Sequence, residues 1–360
     1  MPTAPLGYSV PFSQRIRQQH LPALDGLRAL AVAGVILFHF GFLSFSFGIL
    51  GVSLFFVISG FLITHLLLRE HETGGGISFS RFYARRALRI FPAYYVFLAV
   101  SFVYMAVHAI PLPPRLVASS ILYYNDYVQA FGQDRANLIS HSWSLAIEEQ
   151  FYLLWPFGLT LLLRRRTGGV GILGVAVVCI AAWRTMLFAL GHGSYTYYAF
   201  DTRVDQLLIG CGLAIVARQP EFDRIAGVAS RSAVFPLLTA TAAVLLFQIR
   251  MAGLMASVGY SIIGMLFGLF LVQTIMLSGH PAWRWLDSPP VRFIGRISYP
   301  LYLYHKLAAA LVDAYAPGLR WSVQIVPAFA VTLGLAMASY YLVERPFLSL
   351  KSRVSPPVVP

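Results

Sequence analysis

Apolar runs of about 20 residues recur along this 360-residue chain with only short polar breaks between them. A run of about 20 apolar residues is the length that crosses the hydrocarbon core of a bilayer as a helix. Ten such runs fall at 23–43, 48–68, 92–110, 143–163, 170–190, 203–217, 233–249, 257–277, 297–314 and 321–343. Only 11% of the residues are charged, while 58% are apolar. A soluble domain carries roughly 25% charge, so a water-soluble globule is excluded. Disorder, which needs low hydrophobicity, is excluded too. A helix satisfies its own backbone hydrogen bonds in hydrocarbon. The pattern therefore predicts an all-α polytopic integral membrane protein with about ten transmembrane helices. The sixth run is short, and is expected to be tilted, broken or partly buried in protein.

The second anomaly is charge: Lys+Arg 27 against Asp+Glu 14 gives +13. In a soluble protein such a surplus suggests nucleic acid. Here the positions matter more than the sum. Nineteen Lys/Arg fall in the N-terminal segment, the even-numbered breaks and the C-terminal end. Only Arg115, Arg135, Arg250 and Arg320 fall on the other side. Arg28, Arg184, Arg203 and Lys306 lie within runs or at their edges. Basic loops stay cytoplasmic, so both termini are expected in the cytoplasm and nucleic acid is not an expected partner. The expected organisation is a cytoplasmic N-terminal segment at 1–20, a transmembrane domain at 21–347 and a cytoplasmic tail at 348–360. Residues 1–20 are too polar for a signal peptide. Cys179 and Cys211 lack metal-ligand spacing and read as small hydrophobes, so no metal site is expected.

A charged side chain at membrane depth is costly and marks a functional site. Arg28 and His39 are eleven residues apart, just over three helical turns, so they lie on nearly one face about 16 Å apart along the axis. A neutral imidazole can take a proton from a hydroxyl near neutral pH; a lone intramembrane His can also be a packing residue. In the string His141–Tyr152, Ser144 and Glu148 are four apart, and His141 and Glu148 seven apart, which places all three on one helical face. Glu149 faces elsewhere. Asp201 and Asp205, with Arg203 between them, open the sixth run. These charges either hold the bundle by ion pairs or serve chemistry. Arg81–Pro92 mixes Arg with aromatics. It is either an anchor against anionic lipid or a phosphate site, with Arg86 and Arg89 one turn apart as a clamp. Tyr302 and His305 share a face deeper in the ninth run. Tyr123, Tyr124, Tyr127, Tyr195, Tyr197 and Tyr198 in the outer breaks fit an interfacial belt or stacking on sugar rings.

Taken together, these segments resemble the family-3 membrane acyltransferases, bacterial O-acetyltransferases that decorate polysaccharides and other glycans. The matching text is Leu24-Asp25-Gly26-Leu27-Arg28-Ala29 through His39, then Gly51–Ile63, Arg81-Phe82-Tyr83 with Arg86–Arg89, Trp143-Ser144-Leu145 with Glu148 and Phe151-Tyr152, Ser298-Tyr299 with His305, and Glu344-Arg345-Pro346-Phe347. The motifs keep the family's order over nearly the whole chain. An esterase-like C-terminal domain carried by some members has no counterpart here, so a stand-alone transmembrane form is expected.

The resemblance implies transfer of an acyl group, usually acetyl, from cytosolic acyl-CoA to a hydroxyl of a carbohydrate or lipid-linked glycan at the bacterial cytoplasmic membrane. Acetyl-CoA is then a donor substrate and not a bound cofactor. It implies that His39 acts as general base or transient acyl carrier, assisted by Glu148 or Asp205 as the third group of a triad does. Arg28, Arg86 and Arg89 would hold CoA phosphates. Trp143, Ser144, Tyr152, Arg203, Tyr302 and His305 would line the acceptor side. Two rivals stand beside this reading. One is a proton-coupled transporter, which also needs intramembrane charge but often shows paired broken helices in two related halves, a symmetry absent from this sequence. The other is an acyltransferase acting on a secondary metabolite.

Overall fold

The computed structural model describes residues 10–18, 21–133, 137–165, 168–248, 252–315 and 321–354. Arg135, Arg166, Arg250 and Arg320, which entered the orientation argument, lie outside these residues, as do positions 1–9 and the tail from 355. The described residues form helices and no strand. Each apolar run corresponds to one helix: α1 (Pro22–His39), α2 (Phe45–Gly74), α3 (Phe79–Val107), α4 (Trp143–Leu163), α5 (Gly169–Ala189), α6 (Asp205–Val216), α7 (Phe235–Gln248), α8 (Tyr260–Met276), α9 (Ser298–Tyr315) and α10 (Trp321–Ala338). Six helices are long and apolar enough to cross a membrane by length and composition; α6 and α7 are apolar but shorter. Val175 and Val178 on α5 are 64% and 67% exposed, an apolar surface suited to lipid.

Packing divides the chain into two compact units, Met1–Arg69 with Phe151–Arg296, and Glu70–Gln150 with Ile297–Pro360. In the first unit, α2 and α6 meet backbone to backbone. A Cβ on Gly60 would lie 2.0 Å from Leu207 O, and one on Gly210 would lie 2.2 Å from Val57 O. Small residues at such crossings let helices approach where no hydrophobic force drives them together. A second close approach sets the start of α1. A Cβ on Gly295, in the short helix Pro289–Arg296, would lie 1.9 Å from Asp25 O, and one on Gly26 would lie 2.7 Å from Leu286 O. The chain ahead of α1 also belongs to this unit. Phe12 and Ile16 are buried, Phe12 packs edge-on to Phe222, and the Asp223 carboxylate accepts from Ser13 N and Oγ at 2.8 and 2.7 Å. A polar N-terminal segment therefore contributes two core residues.

Two differences from the sequence expectation lie in the second unit. First, α3 begins at Phe79, well ahead of Pro92, so Arg81–Arg89 is its opening and not a separate segment. Pro92 sits inside the helix. A proline removes one intrahelical bond and its ring crowds the preceding turn, but membrane helices tolerate this. Second, the break at 111–142 is not a simple outer loop. It folds into short helices Pro114–Ile121 and Asn125–Ala130 and a tight turn at Ser140–Ser142. Asn125, Asp126, Gln129 and Ser142 are buried there. Their polarity is used internally: Asn125 Nδ2 donates to Ser142 Oγ, and Gln150 Nε2 donates to Asp126 Oδ1 and Tyr123 O, each at 2.9 Å. Tyr123, expected on the surface, is buried and stacks on Tyr94 at 4.4 Å with φ +55°.

Adding a side chain at the α2–α6 crossing tests its role. Gly210→Leu is expected to lower the thermal midpoint and the folded yield in detergent, by at least the 1–3 kcal/mol typical of overpacking. Gly174→Ala, where a Cβ meets nothing within 4 Å, is the control and should leave both unchanged.

Candidate active site

The candidate residues divide between the two units. In the first, His39 is the last residue of α1 and is exposed. Its Nδ1 lies 2.9 Å from Val35 O. A carbonyl oxygen only accepts, so Nδ1 carries the proton and Nε2 is the basic nitrogen of the neutral ring. The carbonyl-rich end of a helix also favours a cation, so the imidazolium formed by taking a proton is stabilised there. The neighbouring Phe38 ring lies 4.6 Å from the imidazole, centroid to centroid. Arg28 lies on the same helix, half-buried. Tyr152, on the second half of α4, is buried and hydrogen-bonded through its hydroxyl to Ser59 Oγ of α2. One turn further on, Trp155 Nε1 donates to Thr64 Oγ1 at 2.8 Å.

Arg184, Arg203 and Asp205 are all fully buried. Asp205 Oδ2 accepts from Arg184 Nη1 at 3.0 Å and from Ser261 Oγ at 2.6 Å. Arg184 also donates to Ser257 O (2.7 Å), Thr202 O (2.6 Å) and Ser261 Oγ (2.9 Å). Ser257 lies in the wide π turn Met255–Gly259 that precedes α8, and that turn presents its carbonyl to the guanidinium. Arg203 lies over the Tyr260 ring at 3.9 Å, with Tyr197 at 5.5 Å and Phe56 at 6.0 Å, and reaches Gln206 Oε1 at 3.3 Å. Cation–π contacts of this kind gain strength when desolvated. Sequence reasoning placed Arg184 within a run but missed its partners. Ser261 and Tyr260 are polar residues inside an apolar run, and that was the available signal.

In the second unit, Trp143, Ser144, Tyr302 and His305 are buried. Tyr302 OH donates to His141 O at 2.7 Å, so the Ser144 hydroxyl, 2.6 Å away, donates to Tyr302. His305 Nδ1 lies 2.7 Å from Tyr302 O, and His141 Nε2 lies 3.0 Å from Leu303 O. By the same reasoning as for His39, each of those nitrogens is protonated. The two rings meet edge to face at 4.8 Å. His141 lies in the 3₁₀ turn Ser140–Ser142 that leads directly into α4 at Trp143. Ser144 and Glu148 both lie on α4. Glu148 is half-buried and within electrostatic reach of Tyr302.

At the start of α3, Arg81 and Arg85 pair with Glu70 at 3.4 and 2.6 Å, and Ser78 N donates to the same carboxylate at 3.3 Å. Glu70 was not anticipated, although its place at the end of the second apolar run, next to an Arg-rich break, was a usable signal. Arg86 and Arg89 are half-buried, and Arg86 lies within electrostatic reach of Glu149.

Breaking the Arg184–Asp205 pair should strand a buried charge. Arg184→Met is expected to destabilise the protein by about 3–5 kcal/mol, read as loss of folded protein by size exclusion and a lowered thermal midpoint. Arg184→Met with Asp205→Leu should recover most of the loss.

Comparison with known proteins adds an independent line. The profile of the acyltransferase domain family matches residues 21–341. The chain is 31% identical to the peptidoglycan O-acetyltransferase OatA of Listeria monocytogenes over 92% of its own length and 56% of that relative. It is also 31% identical to the O-acetyltransferase OatA of Staphylococcus aureus over 91% of its length and 57% of that protein. The chain thus spans a little over half the length of the curated relatives it matches. No solved structure matches it. With a family profile covering nearly all of the chain and relatives 31% identical over more than nine-tenths of it, the protein belongs to the family-3 acyltransferases.

Proposed function

We propose that the chain is a multi-pass O-acyltransferase of the bacterial cytoplasmic membrane. It moves an acyl group, most simply acetyl, from cytosolic acyl-CoA to a hydroxyl of a carbohydrate acceptor such as a surface polysaccharide or lipid-linked glycan. The name of the Listeria relative, a peptidoglycan O-acetyltransferase, supports a glycan acceptor. The Arg surplus of the even-numbered breaks supports an orientation with ten crossings and both termini in the cytoplasm. The observation that carries the reaction is His39, whose Nδ1 is committed to Val35 O at a helix C-terminus.

In this mechanism Nε2 of His39 takes the proton of the acceptor hydroxyl. The oxygen attacks the thioester carbonyl, the C–S bond breaks, and the CoA thiolate leaves, recovering the proton from the imidazolium. A variant passes the acyl group through Nε2 before the acceptor arrives. Arg28, Arg86 and Arg89 serve the CoA phosphates, where bidentate guanidinium contacts are strong. Glu148 or Asp205 is the assisting carboxylate. The Oδ2 of Asp205 is already engaged by Arg184 and Ser261, so its support for the reaction would come through holding that part of the bundle. Trp143, Ser144, Tyr152, Arg203, Tyr302 and His305 shape the acceptor side.

The test is transfer of label from acetyl-CoA by the purified full chain to glycan acceptors. His39→Ala should lower kcat by about 10²–10⁴-fold with the fold intact; wild-type turnover by this variant sinks the assignment. Arg86→Ala and Arg89→Ala should each raise the KM for acyl-CoA with kcat nearly unchanged. Unchanged KM values in both would leave these residues as lipid anchors. Glu148→Gln should lower kcat without changing thermal stability, whereas Asp205→Asn should lower stability first.

A further inference from the structure

The break between α8 and α9 holds three arginines, Arg284, Arg292 and Arg296, and none of them forms an ion pair among the described residues. Arg284 and Arg296 are exposed, whereas Arg292 is half-buried. The Nε of Arg292 is buried and meets no hydrogen-bond partner among the described residues. Chain orientation accounts for basic residues in this break, but it needs only their charge. A buried guanidinium nitrogen without an acceptor costs free energy that a solvated one does not. An anion brought to Arg292 removes that cost.

Arg292 and Arg296 lie on the short helix Pro289–Arg296, four residues and so about one turn apart. Arg292 is three residues before Gly295, about 60° around the helix from it. Gly295 is the residue that abuts the backbone of Asp25 at the start of α1. On α1, Arg28 lies three residues beyond Asp25, again about 60° around. Arg28 and Arg292 thus flank the same helix crossing, each nearly one turn from it. The support is fixed: Leu286 is buried and its backbone lies against Gly26. Asp287, the nearest carboxylate in sequence, is turned back onto neutral donors, Ser278 Oγ at 2.8 Å and Gly279 N at 3.3 Å. It does not neutralise the arginine pair. Sites built on locked supports are what recognition needs.

Two guanidinium forks one turn apart suit a phosphate monoester, which carries nearly two negative charges and three terminal oxygens. The groups of an acyl-CoA run in the order thioester, pantetheine arm, diphosphate and adenosine 3′-phosphate, and the last is its one phosphate monoester. Along the first unit the order is His39, Arg28 and then the crossing flanked by Arg292. From His39 back to Asp25, α1 covers about 21 Å at 1.5 Å per residue. A donor whose thioester reaches His39 therefore has its nucleotide end at the start of α1, beside the arginine pair.

We propose that Arg292 and Arg296 form a phosphate-monoester clamp that holds the 3′-phosphate of acyl-CoA. This deepens the proposed function and rests on its choice of acyl-CoA as donor, with the break between α8 and α9 on the cytoplasmic side. The pair binds and orients the donor and takes no part in bond breaking.

The experiment uses the full chain in phosphatidylcholine nanodiscs, with CoA and 3′-dephospho-CoA, which lacks only that phosphate, as probes. Binding is measured by calorimetry, without turnover. Wild-type protein should bind CoA at least about tenfold more tightly than 3′-dephospho-CoA, or 1.4 kcal/mol. Arg292→Gln and Arg296→Gln should each erase most of that preference while affinity for 3′-dephospho-CoA stays within about twofold. A merely structural role would weaken both ligands together. Arg284→Gln removes the same charge from the same break and should leave the preference intact, which separates a clamp from general attraction. If Arg292→Gln does not fold, Arg296→Gln, at an exposed position, still decides. Wild-type protein that binds both nucleotides equally, or variants that keep the preference, overturn the clamp and leave acyl-CoA standing as donor. Wild-type protein that binds neither nucleotide overturns the donor reading and the clamp with it. Equal affinity for both, with phosphatidic acid co-purifying with wild type and not with the two variants, assigns the pair to a lipid headgroup and likewise overturns the inference.

Discussion

Two arginines and an aspartate with no exposure to solvent, Arg184, Arg203 and Asp205, set the terms for the first unit. A buried charge must be paired and hydrogen-bonded or it destabilises the fold. Each nitrogen of Arg184 is therefore met, by the Asp205 carboxylate, two backbone carbonyls and a serine hydroxyl. Meeting them fixes the rotation of α5, the path of the chain between α5 and α6, and the wide turn that opens α8. Arg203 is held mainly by ring faces, with Tyr260 closest. These contacts leave little freedom in how three helices and two short connections are set. The outward residues of the same helices inherit that order.

In the second unit neutral groups bond one another beside the buried Asp126 carboxylate. The unit's buried polar residues, Asn125, Ser142, Ser144, Tyr302, His141 and His305, answer one another through hydroxyl, amide and imidazole bonds. The direction of several bonds follows from chemistry alone, because a backbone carbonyl can only accept. The imidazole tautomers of His39, His141 and His305 are fixed in this way. For His39 the consequence is chemical: the nitrogen that remains basic is the distal one, at the end of a helix whose carbonyls favour the cation.

Much of this was legible in the sequence. Each apolar run corresponds to a helix, and six helices are long and apolar enough to cross a membrane. Arg28 and His39 could be set on one helix from their spacing alone. What escaped was set by tertiary contacts. Pro92 looked like a helix start, yet the helix runs through it, since propensity is a weak guide once a helix is supported by its neighbours. The polar stretch around Asn125 looked like an outer loop, because nothing in a single sequence tells a solvated polar residue from one satisfied by a partner far along the chain. His141 lies in a 3₁₀ turn that runs into the start of α4. Ser261 stood out only as a polar residue inside an apolar run, and its role comes from Arg184 and Asp205.

The glycine contact between α2 and α6 bears on how this scaffold can change over time. Gly60 and Gly210 lie against each other's helix backbones, so the fit belongs to the pair and to neither helix alone. A chimera that takes only one of the two helices from a relative inherits half of a matched surface. Exchange is tolerated only when both travel together, which makes the crossing a unit of inheritance within the fold.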